Sequence, residues 1–185
     1  EGHRNARIEQ AKITFLNTLV TRLNSMITDP AYHITSSYLL NKGNNYSYEF
    51  ALIVSTLCCD ISGDADFDFN KGRFMADPSS LFLIKPLALS QVFNLIPRLI
   101  TRLADLEMRV VAVTETSAQL QLYQEKLLSN VPPELHQLQK RSACRSLSGG
   151  MAYIPFFHSG LPVAHVQELR CVVRGDECCE WIFTW

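Results

Sequence analysis

Apolar positions recur at helical spacing through the first half of this chain and at strand spacing towards its end. Leu16, Leu19, Val20, Leu23, Met26 and Ile27 form one stripe with a 3.6-residue period, predicting a helix over Arg7–Ile27 that Asp29-Pro30 ends. Such a terminal helix either faces a core or pairs with a second copy. A short helix over His33–Lys42 is expected, capped by Thr35 or Ser36. Tyr48–Ile61 carries Phe50, Ile53, Val54, Leu57, Cys58 and Ile61 on one side. Ser62–Asp66 reads as a turn into a short helix, Phe67–Phe74. Within Asp77–Leu89, the run Leu81–Ile84 suits a strand or a buried helical turn equally. Ser90–Leu106 is apolar around much of its circumference, so it is expected to pack deeply and to wall a pocket. Pro97 should kink this helix or mark a restart.

Further on, the period changes to two. Ala118, Leu120 and Leu122 alternate with Gln119, Gln121 and Tyr123, so Glu107–Thr114 and Ala118–Gln124 read as a hairpin with one buried and one wet face. Residues 125–133 read as a loop. Pro133–Phe157 should be mostly helical, contain Cys144 and loosen at Gly149-Gly150. Two β-rich runs, Val163–Val173 and Cys178–Trp185, then flank Arg174–Glu177, where Gly beside Asp suits a tight reversal. The expected fold class is α+β: a helix-rich N-terminal half packed on one antiparallel sheet built from two β-hairpins, in a single domain over residues 1–185.

Composition narrows the function classes. With 17 basic and 18 acidic residues the net charge is −1, which gives no electrostatic case for nucleic acid. There is no apolar run of membrane length and no visible secretory signal, so a cytoplasmic setting with reduced thiols is expected for the six cysteines. The chain begins at Glu1 and ends inside an expected strand, as a domain of a longer protein would. No phosphate loop, nucleophile elbow, HExxH or GxGxxG is present, so the expectation is a non-enzyme. Asp64, Asp66 and Asp68 cluster, but the glycine precedes them and no acid stands at the twelfth loop position. Helix capping explains them better than calcium does. Tyr153, Phe156, Phe157, His158 and Trp181 are the candidate ligand-binding residues, since small-molecule sites are mostly apolar with a few polar anchors. As metal or haem ligands His158 and His165 are disfavoured against surface or hydrogen-bonded histidines; with Tyr153 they are the expected polar anchors if a small molecule binds. For any single aromatic, core packing is the simpler reading.

The chemistry-bearing residues concentrate at the end of the chain. Cys144-x23-Glu168-x2-Cys171-x7-Cys179 supplies three thiols and a carboxylate, a set suited to tetrahedral zinc. Packed, reduced thiols are the alternative. A regular two- or four-residue loop at Arg174–Glu177 would point Cys171 and Cys179 to opposite faces. The metal reading therefore predicts a bulge or an odd-length turn.

The run Gly160-Leu161-Pro162-x-Ala164-x-Val166, followed by Glu168-x2-Cys171-x3-Gly175-Asp176-x2-Cys179-x5-Trp185, resembles the C-terminal half of the vinyl-4-reductase type of sensor domain. Ser62-Gly63-Asp64-x-Asp66-Phe67 is similar to a turn in the related input modules of bacterial signalling proteins. The resemblance implies a structural zinc held by Cys144, Glu168, Cys171 and Cys179 beside a buried ligand pocket; Cys178 is an extra thiol. It also implies a homodimeric, non-catalytic input domain. Such a domain takes a small apolar or aromatic molecule and is covalently linked to a histidine kinase, diguanylate cyclase or transcription-activator output. Two alternatives accompany it. One is a reductase-like protein binding a tetrapyrrole or haem. The other is an interaction or dimerisation module with a buried acyl chain.

Overall fold

Capping side chains set the boundaries of the first helices in the computed structural model, which describes residues 2–74, 76, 84–103 and 106–185. Helix α1 spans Gly2–Ser25, earlier at both ends than its apolar stripe implies. Asp29 caps a 3-10 turn, Pro30–Tyr32, by accepting from the N–H of Ala31. Thr35 caps α2 (Ser36–Leu40) and Ser47 caps α3 (Tyr48–Ser62), each accepting an otherwise orphaned first-turn N–H. Asn24 braces this region, donating to the carbonyl of Ile34 and accepting from its N–H. Leu19 and Leu23 of α1 and Leu52 and Cys59 of α3 are buried, whereas residues 5–14 of α1 are exposed.

The described chain forms two compact units, Glu1–Ala65 and Asp66–Trp185. In the second, α4 (Phe67–Lys71) runs into a 3-10 turn, Gly72–Phe74. Asp66 stands at the N-cap of α4 but makes no capping bond. Its carboxylate accepts from Arg145 at 2.8 Å instead, which corrects the capping expectation: a guanidinium within reach outcompetes a neutral N–H. Of the ambiguous Asp77–Leu89 segment, residues 77–83 lie outside the described residues.

Helix α5 (Leu89–Leu103) runs through Pro97 as one helix, without the restart that the proline allowed. Strands β1 (Glu107–Val113) and β2 (Ser117–Tyr123) form the first hairpin. The next segment is not a plain loop: Glu125–Leu128 makes a single-turn helix, α6, and Pro133–Leu135 a 3-10 turn leading into α7 (His136–Ser159). Strands β3 (His165–Arg170) and β4 (Cys179–Thr184) form the second hairpin. The two hairpins join into one antiparallel sheet of order β1-β2-β4-β3, as the sequence pattern predicts.

One face of that sheet is the core. Met108, Ala118, Leu120, Leu122, Trp181 and Phe183 pack against Val92 and Phe93 of α5 and Leu147, Met151 and Ile154 of α7. Phe93 stacks on Trp185 with ring centres 4.5 Å apart. The opposite face is polar. There Glu180, nearly fully buried, accepts from Gln119 and Arg170, both at 2.6 Å. Burial pushes its carboxyl up, but these donors and Gln121 outweigh it and hold the group below its ordinary value.

Gly149-Gly150 does not loosen α7. A Cβ on Gly149 would stand 1.9 Å from the carbonyl oxygen of Phe69, and one on Gly72 would stand 2.3 Å from the nitrogen of Gly150. The glycines let α4 and its 3-10 turn lie directly on the backbone of α7. At its far end α7 closes on Gly160 in the left-handed region, with the N–H of Leu161 reaching back to Pro155. The N–H of Ala164 then donates to the carbonyl of Ala152 at 2.9 Å. That bond lays the start of β3 along the helix.

Candidate functional site

The second hairpin carries the irregularity that the metal reading predicts. His165 to Glu168 pair with Thr184 to Trp181 in regular register, but Arg170 pairs with Glu180, so Leu169 is bulged out. The shift carries Cys171 opposite Cys179, on the face that α7 covers. The turn is then fixed locally. Asp176 accepts from the N–H of Cys171 at 2.7 Å, and Gly175, with φ of 96°, takes the conformation that L side chains rarely adopt. Cys144 faces the pair from the middle of α7.

The sulfurs of Cys144, Cys171 and Cys179 lie within 4.8 Å of one another, and all three residues are buried. Cys144 and Cys171 are 3.5 Å apart, and Cys144 is 3.7 Å from Oε2 of Glu168. Around a tetrahedral zinc with ordinary bond lengths, sulfurs stand about 3.8 Å apart and a sulfur and an oxygen about 3.5 Å. The three thiols are therefore close enough to hold a metal ion, and the donor set fits one. Glu168 stands at the rim, outside the three-sulfur group, with Oε1 ion-paired to Arg174.

The thiols are not equivalent. Cys179 is lowered to about 7, chiefly because Cys144 directs its S–H towards it; the N–H of Val172 and the thiol of Cys171 add to this and burial opposes it. Cys144 is pushed up, first by serving as that donor and then by burial. Burial also raises Cys171. Cys178 is fully buried, points away from the cluster and interacts with Tyr123 and Arg170.

A further polar residue meets this centre. Gln124, only 2% exposed, directs Nε2 both to the carbonyl of Lys140 at 3.4 Å and to the sulfur of Cys179 at 3.7 Å. Its Oε1 is buried with no hydrogen-bond partner among the described residues.

On the same helix, one turn beyond Cys144, Leu147 begins the wall of a partly open cavity of about 140 Å³. Ile96 and Ile100 of α5, Leu147, Gly150, Met151 and Ile154 of α7, and Ala76 line it, with no polar side chain among them. The expectation that α5 walls a pocket is met. The five residues predicted to bind a ligand do not line this cavity. Trp181 is core, beside Phe183, and borders a separate open groove with Phe69, Arg145 and Glu168. Tyr153 stacks near Phe157, and Phe156 is exposed. His158 is buried, with its ring nitrogens at Ser159 Oγ and the carbonyl of Ile84; His165 is exposed on β3.

Sequence reasoning missed Gln124, Leu147, Met151 and Ile154. The only signal for the last three was the apolar face of a helix read for its cysteine. No protein-family model matches the chain, and no curated protein matches it.

Proposed function

We propose that this chain is a non-catalytic, ligand-sensing input domain that takes a small apolar molecule into the cavity between α5 and α7. The observation that carries the reading is the cavity itself. At about 140 Å³ it is comparable in volume to an apolar protein cavity of about 150 Å³ that binds benzene. An apolar hollow left unfilled forgoes dispersion contacts with its lining, which a hydrocarbon of matching size supplies.

Zinc is the metal proposed for the thiol cluster, held by Cys144, Cys171 and Cys179, with Glu168 completing four ligands once it leaves Arg174. It would pin the second hairpin to α7. Because α7 carries both Cys144 and the cavity wall, a ligand that prefers one packing of Leu147 and Met151 also biases the helix that the metal holds. That is a population shift, whose size is limited by the ligand's preference between the two packings. The similarity of the cysteine-bearing segment to vinyl-4-reductase-type sensor domains supports the same assignment. So it further supports a dimeric, cytoplasmic domain joined to a signalling output. The buried His158, engaged by Ser159 and Ile84, disfavours the haem alternative.

Thermal denaturation with benzene or toluene tests the reading, with benzoate as a charged control of similar shape. Binding to the folded state at a hundredfold excess over Kd stabilises by about 2.7 kcal/mol. A rise in Tm with the hydrocarbons but not with benzoate is expected. No rise with either hydrocarbon at saturation in water would overturn the reading.

A further inference from the structure

The amide of Gln124 is locked in one orientation. Lys140 offers a carbonyl, which only accepts, so the side of Gln124 facing it must be the nitrogen. The same nitrogen faces Cys179, whose sulfur must then be the acceptor. Turning the amide over would set Oε1 against the Lys140 carbonyl and remove the donor from the sulfur. In the locked orientation Oε1 is left buried without a partner among the described residues. A buried glutamine that leaves its own oxygen unsatisfied weakens a core unless its nitrogen gains from what it faces. A neutral thiol is a weak acceptor, whereas a metal-bound thiolate sulfur is a strong one.

From this geometry we infer that Gln124 is a positioning residue of the metal centre, donating an N–H···S hydrogen bond that orients Cys179 as a ligand. The backbone N–H of Val172 approaches the same sulfur, so Cys179 receives one donor from the end of β2 and one from the turn after β3. Cys171 likewise receives a backbone N–H, from Val173, whereas Cys144 meets the other sulfurs and Glu168 among the described residues. Cys179 is thus the sulfur that receives a side-chain amide donor in addition to a backbone one. Outer partners of this kind contribute about tenfold to a hundredfold to metal affinity. This inference rests on the metal reading of the three thiols.

The test is a competition titration of Zn²⁺ against a chromophoric chelator, on the whole chain and on Gln124→Met. Methionine matches the volume, donates nothing and carries no orphaned oxygen. If Gln124 acts only as core filling, Gln124→Met leaves Zn²⁺ affinity unchanged and raises the metal-free Tm. The inference expects Zn²⁺ affinity to fall at least about tenfold with the metal-free Tm unchanged or raised. A second readout needs no variant. In the ¹¹³Cd²⁺-loaded parent protein, a hydrogen bond to a coordinated sulfur gives a scalar coupling between ¹¹³Cd and the Gln124 side-chain amide proton. Presence of that coupling supports the inference, and its absence in a Cd²⁺-loaded protein overturns it. Failure of the parent to bind Zn²⁺ or Cd²⁺ would remove the metal reading itself. Metal binding with unchanged affinity in Gln124→Met would remove only the role of Gln124.

Discussion

The sulfur of Cys144 lies 3.5 Å from the sulfur of Cys171, although one belongs to the middle of a helix and the other to the residue after an edge strand. Three local devices make that approach: the bulge at Leu169, the bond from Ala164 to Ala152, and the turn fixed by Asp176 and Gly175. Each predicted property of the centre depends on this convergence.

Replacing Cys171 by serine separates a metal site from a packed thiol. In protein loaded with Zn²⁺, Cys171→Ser should lose about 2 kcal/mol or more, because a bound structural metal adds its binding energy to folding. In protein stripped with chelator the same change should cost about 1 kcal/mol, the ordinary figure for a modest buried change. Chelator titration followed by urea denaturation of both proteins measures the two differences. Equal losses with and without metal would contradict the account.

Acid should weaken the metal-free protein through Cys179. Its thiol is lowered from 9.0 to about 7, so its contribution is complete above pH 9 and is lost as pH falls through 7. Cys144, Cys171 and Cys178 are raised, so their contributions are complete below pH 9 and fade above it. Stability of the metal-free chain should therefore climb from pH 7 towards 9 and decline beyond. Urea midpoints across that range in Cys179→Ala, where the climb should vanish, check the assignment.

Gly149→Ala sets two effects against each other. Alanine favours a helix interior by about 1 kcal/mol over glycine. Here its Cβ would stand 1.9 Å from the backbone carbonyl of Phe69, and a backbone cannot rotate aside as a side chain would. Overpacking of this kind costs about 3 kcal/mol, so a net loss of about 2 kcal/mol is expected. A urea midpoint equal to that of the parent, or above it, would mean that α4 does not lie on α7 as described.

Filling the cavity should uncouple stability from ligand response. Leu147→Phe extends a buried wall residue into the void, and a void of about 140 Å³ has room for the added atoms. The variant should melt at or above the parent temperature and gain nothing from benzene. A benzene-induced rise as large as the parent's would locate binding elsewhere.

Much of this architecture was legible in the sequence. The alternation of Ala118, Leu120 and Leu122 with glutamines gave away β2, and the two apolar runs around Arg174–Glu177 gave away the second hairpin. The odd register between Cys171 and Cys179 followed from metal stereochemistry alone. Other features were hidden because they are relationships rather than patterns. Gly149-Gly150 reads locally as a weak point in a helix, and only the backbone of Phe69 shows why side chains are excluded there. Asp66 has the sequence position of a cap, and only Arg145, far along the chain, shows what it binds. The cavity was half legible, in the apolar circumference of α5. Its other wall lies on α7, which the cysteine motif made look like part of the metal centre alone. Gln124 continues the buried phase of Ala118, Leu120 and Leu122, so the alternation marks a polar residue on the core side, but only the structure shows the sulfur that it meets.

The most direct test of the central claim is a methyl-resolved ¹³C NMR titration of the whole chain with benzene. The account predicts saturable shifts at the methyl groups of Ile96, Ile100, Leu147, Met151 and Ile154, with those of the exposed Ile8 and Ile13 unmoved. Shifts confined to exposed methyls, or none at saturating benzene, would contradict it.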